Sequence, residues 1–160
     1  MDELAAIAKQ DAVAYRRVLL GKSPRAKAVL ELAAQKAGWG QPLPERAGRG
    51  VSLQSAFATY MVHVAEVEVA KGGEVRVRRV VCAVDCGTVV NPDTVKAQIQ
   101  SGIIFGITAA LYGEIALKNG RVEQANFDTY QMLRMFLTVD PAVVSAKLIS
   151  PSRADRADEE

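Results

Sequence analysis

The hydrophobic period of this 160-residue chain changes once, and that change restricts its fold more than any other feature. Over the first forty residues, Leu4, Ile7, Ala8, Ala12, Tyr15, Val18 and Leu19 recur three and four apart, as on one face of a helix. Asp11 has the chemistry of an N-cap and would divide this stretch into two helices, with Gly21 closing the second. A third helix is predicted from Ser23 as cap and Pro24 in its first turn. Its buried stripe is Ala26, Val29, Leu30, Ala33 and Ala37, Gly38 ends it, and Trp39 follows as a packing anchor. The segment Gly40 to Gly50 carries Pro42, Pro44 and Gly48 and reads as a connector.

From Ser55 the period is two. Tyr60, Val62 and Val64 fall on one strand face, and Met61, His63, Ala65, Val67 and Val69 on the other. Gly72-Gly73 is predicted as a two-residue turn, with Glu74 to Val84 returning as the second strand. That register sets Glu66 opposite Arg79, a favourable cross-strand pair. Charges near the turn and near-continuous valine beyond it predict a hairpin wet at one end and buried at the other. Asn91-Pro92 then starts a helix that runs to about Leu111. Asn119-Gly120 is predicted as a type I′ turn between Glu114–Lys118 and Arg121–Phe127.

Nothing repeats internally. The predicted class is α+β: an N-terminal helical segment, then β-hairpin, helix and β-hairpin, with helices packed on a mainly antiparallel sheet. Residues 1–40 form the helical segment and 41–135 the α+β subdomain. Residues 136–160 are expected to be a disordered tail, ending in the polar run Ser150 to Glu160.

Composition narrows the function classes. A net charge of +2 favours no anionic partner. The clusters Arg16, Arg17, Lys22, Arg25, Lys27 and Arg76, Arg78, Arg79 read as solvated faces rather than a nucleic-acid patch. The most apolar run, Gly102 to Leu111, is about half of the ~20 residues a membrane-spanning helix needs. No signal peptide opens the chain at Met1-Asp2-Glu3, so a soluble, cytoplasmic protein is expected, with export of an intact, longer family member left open. The two cysteines, Cys82 and Cys86, lie roughly 13 Å apart on an extended strand at about 3.3 Å per residue. That separation excludes a disulfide. Two thiols and the lone His63 make neither a zinc site nor an iron–sulfur cluster.

The catalytic inventory is thin. His63 shares a strand face with Met61, Ala65 and Val67 and reads as a core or interface histidine. Glu66 and Glu68 could mimic a carboxylate dyad, but Arg79 nearby favours a structural ion pair. On the predicted fourth helix, Val95, Ile99, Gly102, Ile103, Gly106 and Ala110 share a face. Glycine inside a helix costs about 1 kcal/mol relative to alanine, so two on one face call for close packing or a bulky ligand. Gln98, one turn before Gly102, offers an amide that can both donate to and accept from a polar cofactor.

One run of residues carries a resemblance. Val80-Val-Cys-Ala-Val-Asp-Cys-Gly87, Val90-Asn-Pro-Asp93, Gln98-Ile-Gln-Ser-Gly102 and Phe105-Gly106 resemble the molybdopterin-binding large subunits of the xanthine dehydrogenase and aldehyde oxidase family. Ala37-Gly-Trp-Gly40, Gly48-Arg-Gly-Val51, Val64-Ala-Glu-Val-Glu-Val69, Ala109-Ala-Leu-Tyr-Gly-Glu114 and Asn126-Phe-Asp-Thr-Tyr130 extend it toward the isoquinoline 1-oxidoreductase type of beta subunit. The resemblance implies, for the intact family enzyme, a molybdopterin cytosine dinucleotide carrying molybdenum, at which an aldehyde or N-heterocycle is hydroxylated; whether this chain alone binds it is left open. It implies an iron–sulfur small subunit and further large-subunit segments as partners, with Gln98 as cofactor contact and Gly102 allowing close approach. Asp85, Gly87, Asn91 and Pro92 match too and are read as shaping the strand-to-helix turn.

The sequence departs from the family pattern after Arg134-Met135. There the family runs into a Gly-Glu-Pro that bears its catalytic glutamate, and this chain has Phe136-Leu-Thr-Val-Asp140. No catalytic residue and no metal ligand is therefore assigned, and a split, frameshifted or truncated gene is the expectation. The alternative is a non-catalytic α+β module whose bare edges favour self-association.

Overall fold

The computed structural model describes residues 1–133 and the backbone of a strand at Val144–Leu148. Helices α1 (Asp2–Ile7), α2 (Ala12–Leu19) and α3 (Pro24–Ala37) precede strands β1 (Ala47–Ala56), β2 (Thr59–Val69) and β3 (Val75–Asp85). Helix α4 (Pro92–Leu111), the small strands β4 (Leu117–Lys118) and β5 (Arg121–Val122), and β6 (Val144–Leu148) follow. The main sheet has the order β1-β2-β3-β6, antiparallel throughout except for the β3–β6 pair. The class is α+β, as the change of period implies.

The helical starts and stops follow local chemistry. Asp11 Oδ1 accepts from the amides of Val13 and Ala14, which separates α1 from α2. Asp11 Oδ2 accepts from the Trp39 indole at 2.7 Å, and Trp39 packs on the core from there. Gly38 ends α3 in the left-handed region, φ 65. All five residues of the predicted α3 stripe are buried.

The first helices turn differently from their apolar pattern. Ala5, Val13 and Arg16 face inward, while Leu4, Ile7, Val18 and Leu19 are at least half exposed. Arg16 decides this. It is 7% exposed, forms an ion pair with Asp2 and donates to the Val51 carbonyl at 2.7 Å. Asp2 in turn accepts from the Val51 amide. The pair thus satisfies the outward backbone groups of β1, an edge strand, at its centre.

Strand β1 itself occupies residues assigned by sequence to the connector and the start of the period-two region. Gly48 and Gly50 leave its pattern without the alternation that marks a strand. It joins β2 by a two-residue turn at Phe57 and Ala58, both left-handed at φ 50 and 58. Neither residue is a glycine, and each such conformation costs roughly 1–2 kcal/mol.

The β2–β3 turn is one residue longer than predicted. Ala70 and Glu74 close a loop of Lys71, Gly72 and Gly73, with Gly73 at φ 90. Val67 consequently pairs with Val77, but Glu66 pairs with Arg79, because Arg78 bulges out of the ladder. Turn and bulge offset each other, and the predicted Glu66–Arg79 pair forms by a different route. The bulge also moves Val77 onto the face of Val80, Cys82 and Val84.

Strand β3 is wet at its start and buried from Val80 to Asp85. On one face Val81 and Ala83, with Val62, Val64 and Val51, pack against Val29, Leu30, Ala33 and Ala37 of α3. On the other, Val80, Cys82 and Val84 meet Ile99 and Ile103 of α4. The β3–α4–β6 unit is the crossover that a parallel pair requires. Strand β6 lies within the span read as a disordered tail, and its pairing corrects that reading at residues 144–148. Five residues are too short to show a period, and the partner is distant in sequence. The polar run from Ser150 lies outside the described residues. Among the described residues no helix is long and apolar enough to cross a membrane.

Leu30 is fully buried between α3 and the sheet. Leu30→Ala is expected to lower stability by about 2–5 kcal/mol, measured as a shift in the urea midpoint with unchanged slope.

Candidate cofactor-facing site

The site is built where β3 ends and α4 begins. Asp85 closes the strand, and its Oδ1 accepts the Gly87 amide at 3.1 Å, curling the chain as Gly87 takes φ 73. Asn91 caps α4 by accepting from the amides of Asp93 and Thr94, and Pro92 fills the first helical position. These four residues shape the turn, as expected from their types.

Asp85 is 2% exposed and is held from the opposite sheet face. Arg25 Nε reaches its Oδ2 at 2.9 Å and Nη2 its Oδ1 at 3.0 Å, a two-pronged bond. The same guanidinium donates to the Ala58 carbonyl at 3.3 Å and stacks on Tyr60, 5.0 Å from the ring centre. Burial acts to raise the Asp85 carboxyl, but Arg25 and the Gly87 amide outweigh it and hold it below 3.8.

Helix α4 divides its apolar residues differently from the predicted face. Ile99 and Ile103 are buried against the sheet, with Val95 and Ile107 beside them. Gly102 and Gly106 lie about a quarter turn away at 100° per residue. Among the described residues, a Cβ added at either would meet nothing within 4 Å, so none of their backbone approaches the two glycines. Gln98, Gly102, Phe105, Gly106 and Ala109 form an open strip, and Phe105 is 72% exposed. Gln98 makes no hydrogen bond among the described residues. A planar polar group could therefore lie on the two glycines and meet a free amide, which fits one wall of a pterin site.

The other candidates are structural. Glu66 takes Arg49 at 3.0 Å and Arg79 at 3.7 Å on one oxygen. Those arginines also donate to the Gly38 and Lys36 carbonyls at the end of α3, a favourable place for cations. Glu68 pairs with Arg78. His63 sits between Ser52 and Cys82, and burial keeps its imidazole below 6.5 and neutral at pH 7. Burial pushes the Cys82 thiol up to about 12, so it stays protonated, and Cys82 and Cys86 are both free. Among the described residues no three His, Cys, Asp or Glu side chains gather as a metal site.

Arg16 and Arg25 do not behave as solvated charges, contrary to the reading of the first basic cluster, while the side chains of Arg76, Arg78 and Arg79 are exposed as read. Arg25 matters most to the site. Its partner is 60 residues away, and no local signal identifies it. The Asn119-Gly120 turn is as predicted, with both residues left-handed, though its strands are only two residues each.

Residues 3–136 match the molybdopterin cofactor-binding domain family, and the chain belongs to it. It is 38% identical over 140 residues to the isoquinoline 1-oxidoreductase subunit beta of Brevundimonas diminuta, covering 84% of this chain and 18% of that one. It is 30% identical over 155 residues to a membrane-bound aldehyde dehydrogenase [pyrroloquinoline-quinone] of Gluconacetobacter polyoxogenes, covering 84% of this chain and 20% of the relative. The chain thus spans about a fifth of the length of these relatives. Among solved structures, quinoline 2-oxidoreductase of Pseudomonas putida 86 superposes with a TM-score of 0.53 at 25% identity, over 58% of this chain and 12% of that one.

The Asp85 carboxylate has a lowered folded-state pKa, so its contribution is full above the unfolded value of 3.8 and is lost as pH falls through the lower folded value. The urea midpoint of the wild-type chain is expected to drop as pH is taken from 5 toward 3. Asp85→Asn should be less stable at pH 7 and show a shallower drop, and parallel curves would refute this assignment.

Proposed function

We propose that this domain supplies one wall of a molybdopterin site in a molybdenum hydroxylase, with Gln98 as the cofactor-contacting amide and Gly102 admitting the cofactor. The observation that carries this reading is the open Gln98–Gly102 strip, which pairs an unbonded amide with a glycine that nothing covers. When bound, the group supplies the molybdenum at which an aldehyde or N-heterocycle is hydroxylated. This chain's own residues bind and orient it. Gln98 can donate to one polar edge and accept from another, while Asn91 and Pro92 hold the helix that presents it. The matched relatives support an oxidoreductase of this type. The quinone in the second relative's name is a different cofactor, but the family match over residues 3–136 is to the molybdopterin domain. The cytosine dinucleotide form is the one proposed, from the resemblance to the isoquinoline 1-oxidoreductase type.

Partner polypeptides belong to the same proposal. The first relative is named as a subunit, and an iron–sulfur small subunit with further large-subunit segments would complete the enzyme. The 160-residue sequence contains no Gly-Glu-Pro, the motif to which the family resemblance assigns the general base. The chain by itself is therefore proposed to hold no turnover.

A second reading, a non-catalytic module that self-associates, is favoured by Ile104, Phe105, Ile115, Leu117 and Phe127, all of them exposed. Metal and pterin analysis of the protein, made in a host that synthesises the cofactor, separates the two. Molybdenum and releasable cytosine nucleotide near one per chain are expected, together with loss of at least half of both in Gln98→Ala. Dimers or larger species with no molybdenum would support the second reading. The purified chain is expected to oxidise no N-heterocycle or aldehyde with an artificial electron acceptor, and measured turnover would overturn the claim of incompleteness.

A further inference from the structure

Arg25 lies on α3, on the sheet face opposite α4, yet it holds the point from which α4 departs. Its two prongs take both oxygens of Asp85, whose Oδ1 also accepts the Gly87 amide. Between Gly87 and the Asn91 cap there are only three residues, so the direction of the strand exit sets where the helix starts and which way its faces turn. Arg25 simultaneously holds the Ala58 carbonyl and the Tyr60 ring, which ties the left-handed Phe57-Ala58 turn to the same point. The side chains of Asp85 and Arg25 are 3% and 16% exposed, so solvent competes little for these bonds.

We propose that Arg25 is a positioning residue for the cofactor-facing helix: by clamping Asp85 it fixes the Cys86–Asn91 turn and with it the orientation of the Gln98–Gly102 strip. The link to cofactor rests on the function proposed above; the clamp itself does not. Arginine is required because a planar fork can meet both carboxylate oxygens, whereas a lysine ammonium is a point charge that can serve one of them well. Asparagine at position 85 keeps an oxygen for the Gly87 amide but loses the ionic pair.

The test compares Arg25→Gln, Arg25→Lys and Asp85→Asn with the wild-type full chain by amide hydrogen exchange and by pterin content after production in a cofactor-synthesising host. Exchange at Gly87, Asp93 and Thr94 is expected to rise at least about tenfold in all three variants, the scale of losing one charge-assisted bond. Val62 and Val64, in the β2 core, should accelerate only by the factor that each variant's loss of global stability sets, measured by its urea midpoint, and by less than the turn amides. Pterin per chain should fall in step with the turn amides, and Arg25→Lys should not restore it. Uniform acceleration across the sheet would overturn the proposal, since it marks a role in stability alone. So would unchanged turn amides, full rescue by lysine, or wild-type pterin content in Arg25→Gln with the turn loosened. If the wild-type chain carries no pterin, the functional reading above fails, and the exchange pattern alone decides whether Arg25 holds the turn. Should Arg25→Gln not fold, the lysine and asparagine variants carry the same comparison.

Discussion

Strand β3 is buried on both faces over its last six residues, and the remaining architecture follows from that. A strand with apolar side chains on alternate faces needs a cover on each. Helix α3 provides one through Val29, Leu30 and Ala33, and α4 the other through Ile99 and Ile103. The chain reaches the second face only by turning sharply after Asp85, and a crossover helix on that face allows a parallel partner for β3. The burial of β3 thus requires both the turn at Asp85 and the helix that leaves it.

Such a layout must carry polar groups through apolar contacts, and arginines do so here. Each buried or half-buried guanidinium meets a carboxylate and a backbone carbonyl together. Arg16 meets Asp2 and Val51, Arg25 meets Asp85 and Ala58, and Arg49 meets Glu66 and Gly38. The second partner matters because a buried ion pair alone can cost as much in lost hydration as it returns in attraction. Each also joins elements far apart in sequence. These guanidiniums therefore connect the helical segment to the sheet at three points, by a hydrogen bond at the edge of β1 and at the end of α3 and by an ion pair at the start of the α4 turn.

This explains what was legible in the sequence and what was not. Caps, stripes and turns depend on neighbours a few residues apart, so α3, the start and end of α4, and the Asn119-Gly120 turn could be read directly. The class of fold followed from the change of period. Arg16 and Arg25 could not be read, because their partners lie 35 and 60 residues away and a basic cluster looks the same solvated or buried. Strand β1 was hidden by its glycines. The β2–β3 register illustrates a subtler limit. Glu66 and Arg79 pair as predicted, but through a longer turn and a bulge whose effects cancel, and the difference shows only between them, where Val67 meets Val77 and Val77 changes face. On α4, Gln98 and Gly102 were singled out by the helix pattern and then by the resemblance, while Arg25, which holds Asp85 before that helix, was not.

Helix α4 poses a final constraint. From Gly102 to Leu111 its residues are apolar almost all round, which suits a helix covered on more than one side. The sheet covers only the Val95, Ile99, Ile103 and Ile107 stripe. Gly102 and Gly106 weaken the helix without returning any contact among the described residues, since a Cβ at either meets nothing. Phe105, Gly102 and Gln98 lie on that uncovered strip, where a flat polar ligand and an apolar neighbour could meet the same helix. On the function proposed above, the glycines would make room and the Gln98 amide would supply recognition, while the Asp85 bonds shape the turn from which the helix starts.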